Sequence, residues 1–201
     1  GVSSLKGIEY SVMADRIEAG TFCVAATVAK GNLEINNLDP KIINTELKLL
    51  KKSGAIIKTS KNKILIKGPK KIKSIANIKT REYPGVPTDL QAQLMVLMCK
   101  ANGKSIITES IFENRFMHVA ELQRLGANIM IKNNKAYIDG NTKFIGAEVM
   151  SSDLRASVAL VLAASVAQGK SVINRIYHLD RGYEKIENKL KNIGVKIKRL
   201  K

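Results

Sequence analysis

The sequence predicts an α/β fold made of three copies of one unit. Each copy reads strand, buried helix, strand, amphipathic helix and hairpin (βαβαββ), with the apolar helices inside and the sheets outside. Three observations predict this. The first is a recurring Asp, apolar run and Gly: Met13–Ile35 (MADRIEAGTFCVAATVAKGNLEI), Pro87–Ile107 (PTDLQAQLMVLMCKANGKSII) and Ser151–Ile173 (SSDLRASVALVLAASVAQGKSVI). The Asp-to-Gly spacings are 16, 14 and 16 residues. The second is a follow-on pattern, TELKLLKKSGAIIK, VAELQRLGANIMIK and IENKLKNIGVKIKR, whose Gly trails the first by 23, 23 and 25 residues. The third is the character of the runs after each Asp. They are apolar nearly all round, which suits a helix with no solvent face.

Within a unit, the Asp opens the buried helix and can accept from its free backbone N–H groups. Gly31, Gly103 and Gly169 read as the stop after it. NLEI, SIIT and SVIN follow as strands. The next helix alternates apolar and charged residues at helical spacing, so one of its faces meets solvent. Copies one and two close with hairpins turning at Ser60–Asn62 and at Asn133–Asn134, and ending at Gly68 and Gly140. The units fall at about 8–70, 71–142 and 143–201. Each is too short to bury its own apolar face, so the three are expected to form one domain.

Composition narrows the class. An apolar fraction of 45% and a charged fraction of 25% suit an ordinary soluble globular chain. Cys23 and Cys99 stand 76 positions apart without a nearby partner, so a zinc ribbon or cystine framework is excluded. A reducing cytoplasm is the expected setting, and neither a membrane span nor a basic leader is legible. The formal charge of +17 suggests a polyanion partner such as nucleic acid. Against that, 26 of the 34 cations are lysines spread along the chain and aromatics are only 4%, which leaves little for base stacking. The positive field would in either case draw small anions. P-loop, GxGxxG, HExxH and GxSxG motifs are absent.

Three stretches exceed what packing requires: Glu109–His118 (ESIFENRFMH), Ser152–Ser157 (SDLRAS) and Arg175–Glu184 (RIYHLDRGYE). Arg155 sits in the first turn of an apolar helix, where its charge opposes the helix dipole. Either Asp153 pairs with it or a bound anion does. Arg16, beside Asp15, has the same setting. Arg115 and Arg181 occupy equivalent loops after equivalent strands. Repeat symmetry would bring them to Arg155 at one end of the domain, where they form either a phosphate or carboxylate site or a set of solvated surface charges. Asp15, Asp89 and Asp153 each read as an N-cap. Asp89 also follows EYPGVPT, a constrained approach suited to a placed general base. His118 and His178 lack ligand spacing and read as packed or hydrogen-bonded histidines. Both cysteines read as inert buried thiols.

Together ADRIEAGTF, YPGVPTDLQAQ, TESIFENRFMHVAELQRLGA, SSDLRASVALVLAA and RIYHLDRGYEKIENKLKNIGV resemble the UDP-N-acetylglucosamine 1-carboxyvinyltransferase family of enolpyruvyl transferases over the whole of Gly1–Lys201. The resemblance implies a fold of two similar domains, each of three βαβαββ units, of which this chain matches only the C-terminal one. It implies transfer of the enolpyruvyl group of phosphoenolpyruvate to the 3-hydroxyl of UDP-N-acetylglucosamine, with release of phosphate, at the start of peptidoglycan synthesis. On that resemblance Asp89 would take the hydroxyl proton. Arg115, Arg155 and Arg181 would hold the phosphoenolpyruvate anions. Ile111 and Phe112 would line the UDP-sugar pocket, one through its carbonyl. Asp15, Arg16 and Glu18 would support closure between domains. Ala14 stands where the family usually has proline. The cysteine acid would lie in the missing N-terminal half, so this chain alone is expected to be inactive. No metal or cofactor is implied, and neither membrane nor nucleic acid is an expected partner. A basic polyanion-binding or non-catalytic module on the same fold is the alternative.

Overall fold

The computed structural model describes residues 1–200. Three helices follow the three aspartates: α1 (Arg16–Val28), α3 (Gln91–Lys100) and α5 (Leu154–Ser165), with α2 (Asn44–Lys52) between the first two. The three pack against one another at the centre. Every residue of α3 from Gln91 to Cys99 is buried. These segments are apolar on all sides, so only a position surrounded by other apolar elements removes their surface from water.

The sheets lie outside this bundle. β1 (Asn32–Asn36), β2 (Ile56–Ser60) and β3 (Lys63–Lys67) form an antiparallel sheet in the order β1-β3-β2. β4 (Asn77–Lys79), β5 (Lys104–Thr108), β6 (Asn128–Lys132) and β7 (Lys135–Asp139) form a second sheet, ordered β4-β5-β7-β6, in which β4 runs parallel to β5. β8 (Glu148–Met150) and β9 (Val172–Asn174) form a parallel pair. Each sheet buries alternate residues, for instance Ile64 and Ile66 in β3 and Ala136 and Ile138 in β7. That is the period-2 signature of a strand with one face on a core. The amphipathic helices are α2, α4 (Val119–Arg124) and α6 (Ile186–Asn192). Gly54, Gly126 and Gly194 follow their caps in the left-handed region, at φ of 101°, 96° and 96°.

Two sequence expectations need amending. The first unit lacks its opening strand. Ile8, Tyr10 and Val12 alternate as a strand would, yet they stand in solvent and contribute no ladder bond. The edge of β1 that matches the β4 side of β5 is left unpaired. The third unit lacks its closing hairpin. Val195 and Ile197 tuck against the small apolar cluster around Leu179 and Tyr183, with Lys196 between them, but residues 195–200 form no strand. A strand is held by its neighbour's backbone, so alternation alone does not make one. The stop of α1 also shifts: Lys30, not Gly31, takes the left-handed conformation, at φ 57°.

Candidate active site

The three aspartates part ways. Asp15 caps α1, accepting from the amides of Ile17 (2.7 Å) and Glu18 (3.1 Å). Asp153 caps α5, accepting from Arg155 N (2.8 Å) and Ala156 N (3.0 Å). Asp89 caps nothing. A 3-10 turn, Thr88–Leu90, precedes α3, and neither Asp89 nor Leu90 gives the helix a side-chain cap. Both Asp89 carboxylate oxygens face arginines instead. Oδ1 accepts from Arg115 Nη2 at 3.0 Å, and Oδ2 pairs with Arg155 Nη2 at 2.9 Å. Asp153, one of the two partners open to Arg155 in the sequence, is thus occupied by the helix, and the charge of Arg155 is met by Asp89. The amides of the first turn hold Asp153, so only Asp89 is free to turn outward.

These groups line one cleft of about 500 Å³, together with Arg181, Phe112, Gln91, His118 and Asp153. Arg155 comes from the first turn of α5, Arg115 from the loop between β5 and α4, and Arg181 from the end of the 3-10 segment Ile176–Arg181. Three guanidinium groups from two units therefore share a wall with the carboxylate of Asp89. Arg181 pairs with no carboxylate among the described residues. Phe112 stands at the rim, 55% exposed, with the Arg115 guanidinium 5.2 Å from its ring centroid. Ile111 is one residue back and is not part of the lining. Guanidinium donors held on separate elements around one cleft are suited to holding a small di-anion.

Asp15, Arg16 and Glu18 lie outside the cleft. Arg16 pairs with Glu46 at 3.2 Å and stacks 5.3 Å from the Tyr83 ring centroid, in the loop that leads to Asp89. Burial pushes the Glu46 carboxyl above its usual range, outweighing its own backbone amide and Arg16. Glu18 pairs with Lys189 of α6 at 2.6 Å. Both cysteines are buried and far from titrating. Burial raises each thiol to about 12, with Glu46 adding to the effect at Cys23. His178 stacks on Tyr177 at 4.3 Å between centroids. No cluster of metal-ligating side chains occurs among the described residues, and no helix is long and apolar enough to cross a membrane.

Three buried polar residues border or support the cleft: His118, expected as a packed histidine, and Gln91 and Glu109, to which the sequence assigned no role. His118 is 4% exposed, and burial lowers its imidazole to about 4, against the pull of Asp153 and with the push of Arg115. Gln91 lines the cleft with its Nε2 unpartnered. Glu109 gathers four donors on one carboxylate: Thr80 Oγ1, Thr88 Oγ1, and the amides of Ile111 and Phe112. Its donors lie 21 and 29 residues upstream as well as next door, so no local motif announces them.

The model of the EPSP synthase (3-phosphoshikimate 1-carboxyvinyltransferase) family matches residues 1–190. The chain is 66% identical over 200 residues to the UDP-N-acetylglucosamine 1-carboxyvinyltransferase of Pelagibacter ubique (strain HTCC1062), and 51% over 201 residues to that of Geobacter metallireducens. It spans about half the length of these curated relatives, 48% of each. Among solved structures it superposes on the enolpyruvyl transferase NikO from Streptomyces tendae with a TM-score of 0.86 at 26% identity, covering 93% of this chain and 44% of that one. An EPSP synthase from Acinetobacter baumannii shares the fold at a TM-score of 0.73 and 18% identity, covering 92% of this chain and 46% of that one. With its central helices, outer sheets and matching sequence, the chain belongs to the EPSP synthase family of carboxyvinyltransferases.

Proposed function

We propose that this chain is the C-terminal half of a UDP-N-acetylglucosamine 1-carboxyvinyltransferase and forms one wall of its active site. The single observation that carries the reading is Asp89 set between Arg115 and Arg155, with Arg181 in the same cleft. The reaction adds the 3-hydroxyl oxygen of the nucleotide sugar to C2 of phosphoenolpyruvate and a proton to C3; phosphate then leaves C2 as a C3 proton is lost, which restores the double bond. A sugar hydroxyl is a poor nucleophile and needs a base within about 3 Å. Asp89 is that base. The addition intermediate carries a carboxylate and a phosphate on one small skeleton, and Arg115, Arg155 and Arg181 meet that charge with preplaced donors. As the substrate anions take over the guanidiniums, the Asp89 oxygens become free for the hydroxyl proton. Phe112 borders the sugar nucleotide. The enol carbon must also be protonated, and no residue of this cleft is suited to that. Cys23 and Cys99 are core thiols, so the acid comes from the other half of the enzyme. Closure of the two halves would exclude water from the charged centre. On this reading the chain would serve the first committed step of peptidoglycan synthesis, in the cytoplasm.

The test is reconstitution. The chain is assayed for phosphate release from phosphoenolpyruvate and UDP-N-acetylglucosamine, alone and mixed with the N-terminal half of the Pelagibacter relative. No turnover alone and restored turnover in the mixture are expected. Turnover by the isolated chain overturns the division of labour. A mixture that accepts shikimate 3-phosphate in place of the nucleotide sugar overturns the acceptor.

A further inference from the structure

Glu109 directly follows β5 and is 2% exposed, yet no lysine or arginine pairs with it among the described residues. A bare buried carboxylate is costly, and this one is satisfied by donors alone. Oε1 accepts from Thr80 Oγ1 (2.8 Å), Ile111 N (2.8 Å) and Phe112 N (3.2 Å), while Oε2 accepts from Thr88 Oγ1 (2.8 Å). Its backbone is anchored as well: its N–H donates to Asn134 O and its carbonyl accepts from Asn134 Nδ2, both at 2.9 Å. Three chain segments therefore meet on one side chain. They are the end of β4, the residue immediately before Asp89, and the turn that leads to Phe112 and Arg115.

We propose that Glu109 is a positioning residue that sets the gap between Asp89 and the Phe112–Arg115 loop, the gap in which hydroxyl and anion must meet. The inference rests on the enolpyruvyl-transfer reading for its kinetic consequence, but its geometric part does not. The carboxylate suits this task because it is the one side chain that only accepts, with about four lone-pair sites, and all four donors here point inward. Its two oxygens divide the labour. Oε2 reaches toward Asp89 through Thr88, and Oε1 holds the two amides of the rim turn.

Thr88→Val keeps the shape and removes the hydroxyl. In the reconstituted two-half enzyme it should lower kcat about tenfold and leave KM for UDP-N-acetylglucosamine unchanged, because a catalytic group displaced by a fraction of an ångström loses rate rather than binding. Glu109→Ala should lower kcat about a hundredfold and also raise that KM, since both arms are lost. Glu109→Gln keeps one oxygen for the three donors and offers its amide to the Thr88 hydroxyl, so it should rescue most of the rate with an unshifted pH profile. A second measurement uses the 201-residue chain alone. The guanidinium Nε–H resonances of Arg115 and Arg155 should move or broaden in Thr88→Val while the amides of β5 and β7 stay in place. Wild-type turnover with unaltered kcat in Thr88→Val and Glu109→Ala overturns the proposal, and so do unmoved guanidinium signals. A wild-type enzyme that does not turn over defeats the functional reading instead, and the resonance experiment then decides the positioning.

Discussion

Asp89 and Asp153 stand at the same place in two copies of one unit, each at the entrance to a central apolar helix. Asp153 spends its oxygens on the first turn of α5, on the amides of Arg155 and Ala156 and the Ser152 hydroxyl. Asp89 spends its oxygens on Arg115 and Arg155. The difference lies in a few residues of backbone. A 3-10 turn at Thr88–Leu90 carries Asp89 away from the start of α3, and the Gln91 amide bonds to Thr88 O instead. An uncapped helix start costs about 1 kcal/mol. That is a small expense for a helix so fully buried, and it converts a structural carboxylate into one available to a ligand. The repeat supplies three equivalent positions, and the copy with the constrained approach is the one released for chemistry.

The largest effect expected from this contrast is on Asp89. Asp89→Asn in the two-half enzyme should lower kcat by about 10³-fold, the range of a lost general base, with little change in thermal midpoint. The same substitution frees two guanidiniums that are mostly shielded from solvent, at 30% and 22% side-chain exposure. Inorganic phosphate should therefore bind the isolated chain more tightly in Asp89→Asn than in the wild type, by calorimetry. Weaker phosphate binding would mean that the arginines do not form the anion site. Asp153→Asn should do neither of these things.

The sequence made the triplicate legible because helix, glycine and strand signals recur at near-constant spacing, and the central position of α1, α3 and α5 follows from their all-round apolarity. Arg115 and Arg181 could be grouped because repeat symmetry relates their loops, and the same symmetry brings both toward Arg155 at the start of α5. The pairing of Arg155 with Asp89 rather than Asp153 could not. It depends on the 3-10 turn at Thr88, and nothing in PTDLQ distinguishes a cap from a turn. Glu109 was visible only as one acid in a polar stretch, since its donors Thr80 and Thr88 come from an earlier strand and loop. The missing ladder of Ile8–Val12 and the absent hairpin of the third unit were invisible for a related reason. Strand alternation reports a face, while pairing depends on a partner elsewhere.

His118 sharpens the comparison through pH. It is buried beside Asp153 and Arg115, with its Nε2 unpartnered. Burial holds its imidazole at about 4, below the ordinary value of 6.5. The unfolded chain therefore binds a proton first as pH falls. Stability from this group is intact above about pH 6.5 and is lost between there and pH 4, with a slope of at most about 1.4 kcal/mol per pH unit. The thermal midpoint should fall across that window, and His118→Gln should flatten the fall. A wild-type midpoint that is level from pH 6.5 to 4 would show that the ring is not held neutral.

The smallest expected effect belongs to the cap itself. Asp153→Ala should destabilise by about 1 kcal/mol in denaturant unfolding, the typical loss for an N-cap, with m unchanged. Burial pushes this carboxyl up, but the amides of Ala156 and Arg155, the Ser152 hydroxyl and His118 together bring it below its ordinary value. A depressed carboxyl contributes stability above its unfolded value, near 3.8, and loses it as pH falls through the folded one. The Asp153 window thus opens where the His118 window closes, and the two losses should separate on one acid titration. Asp89→Ala, by contrast, should leave the helix start as it is, because α3 takes nothing from that side chain. Equal destabilisation by the two substitutions would erase the distinction between a cap and a catalytic carboxylate on which the functional reading depends.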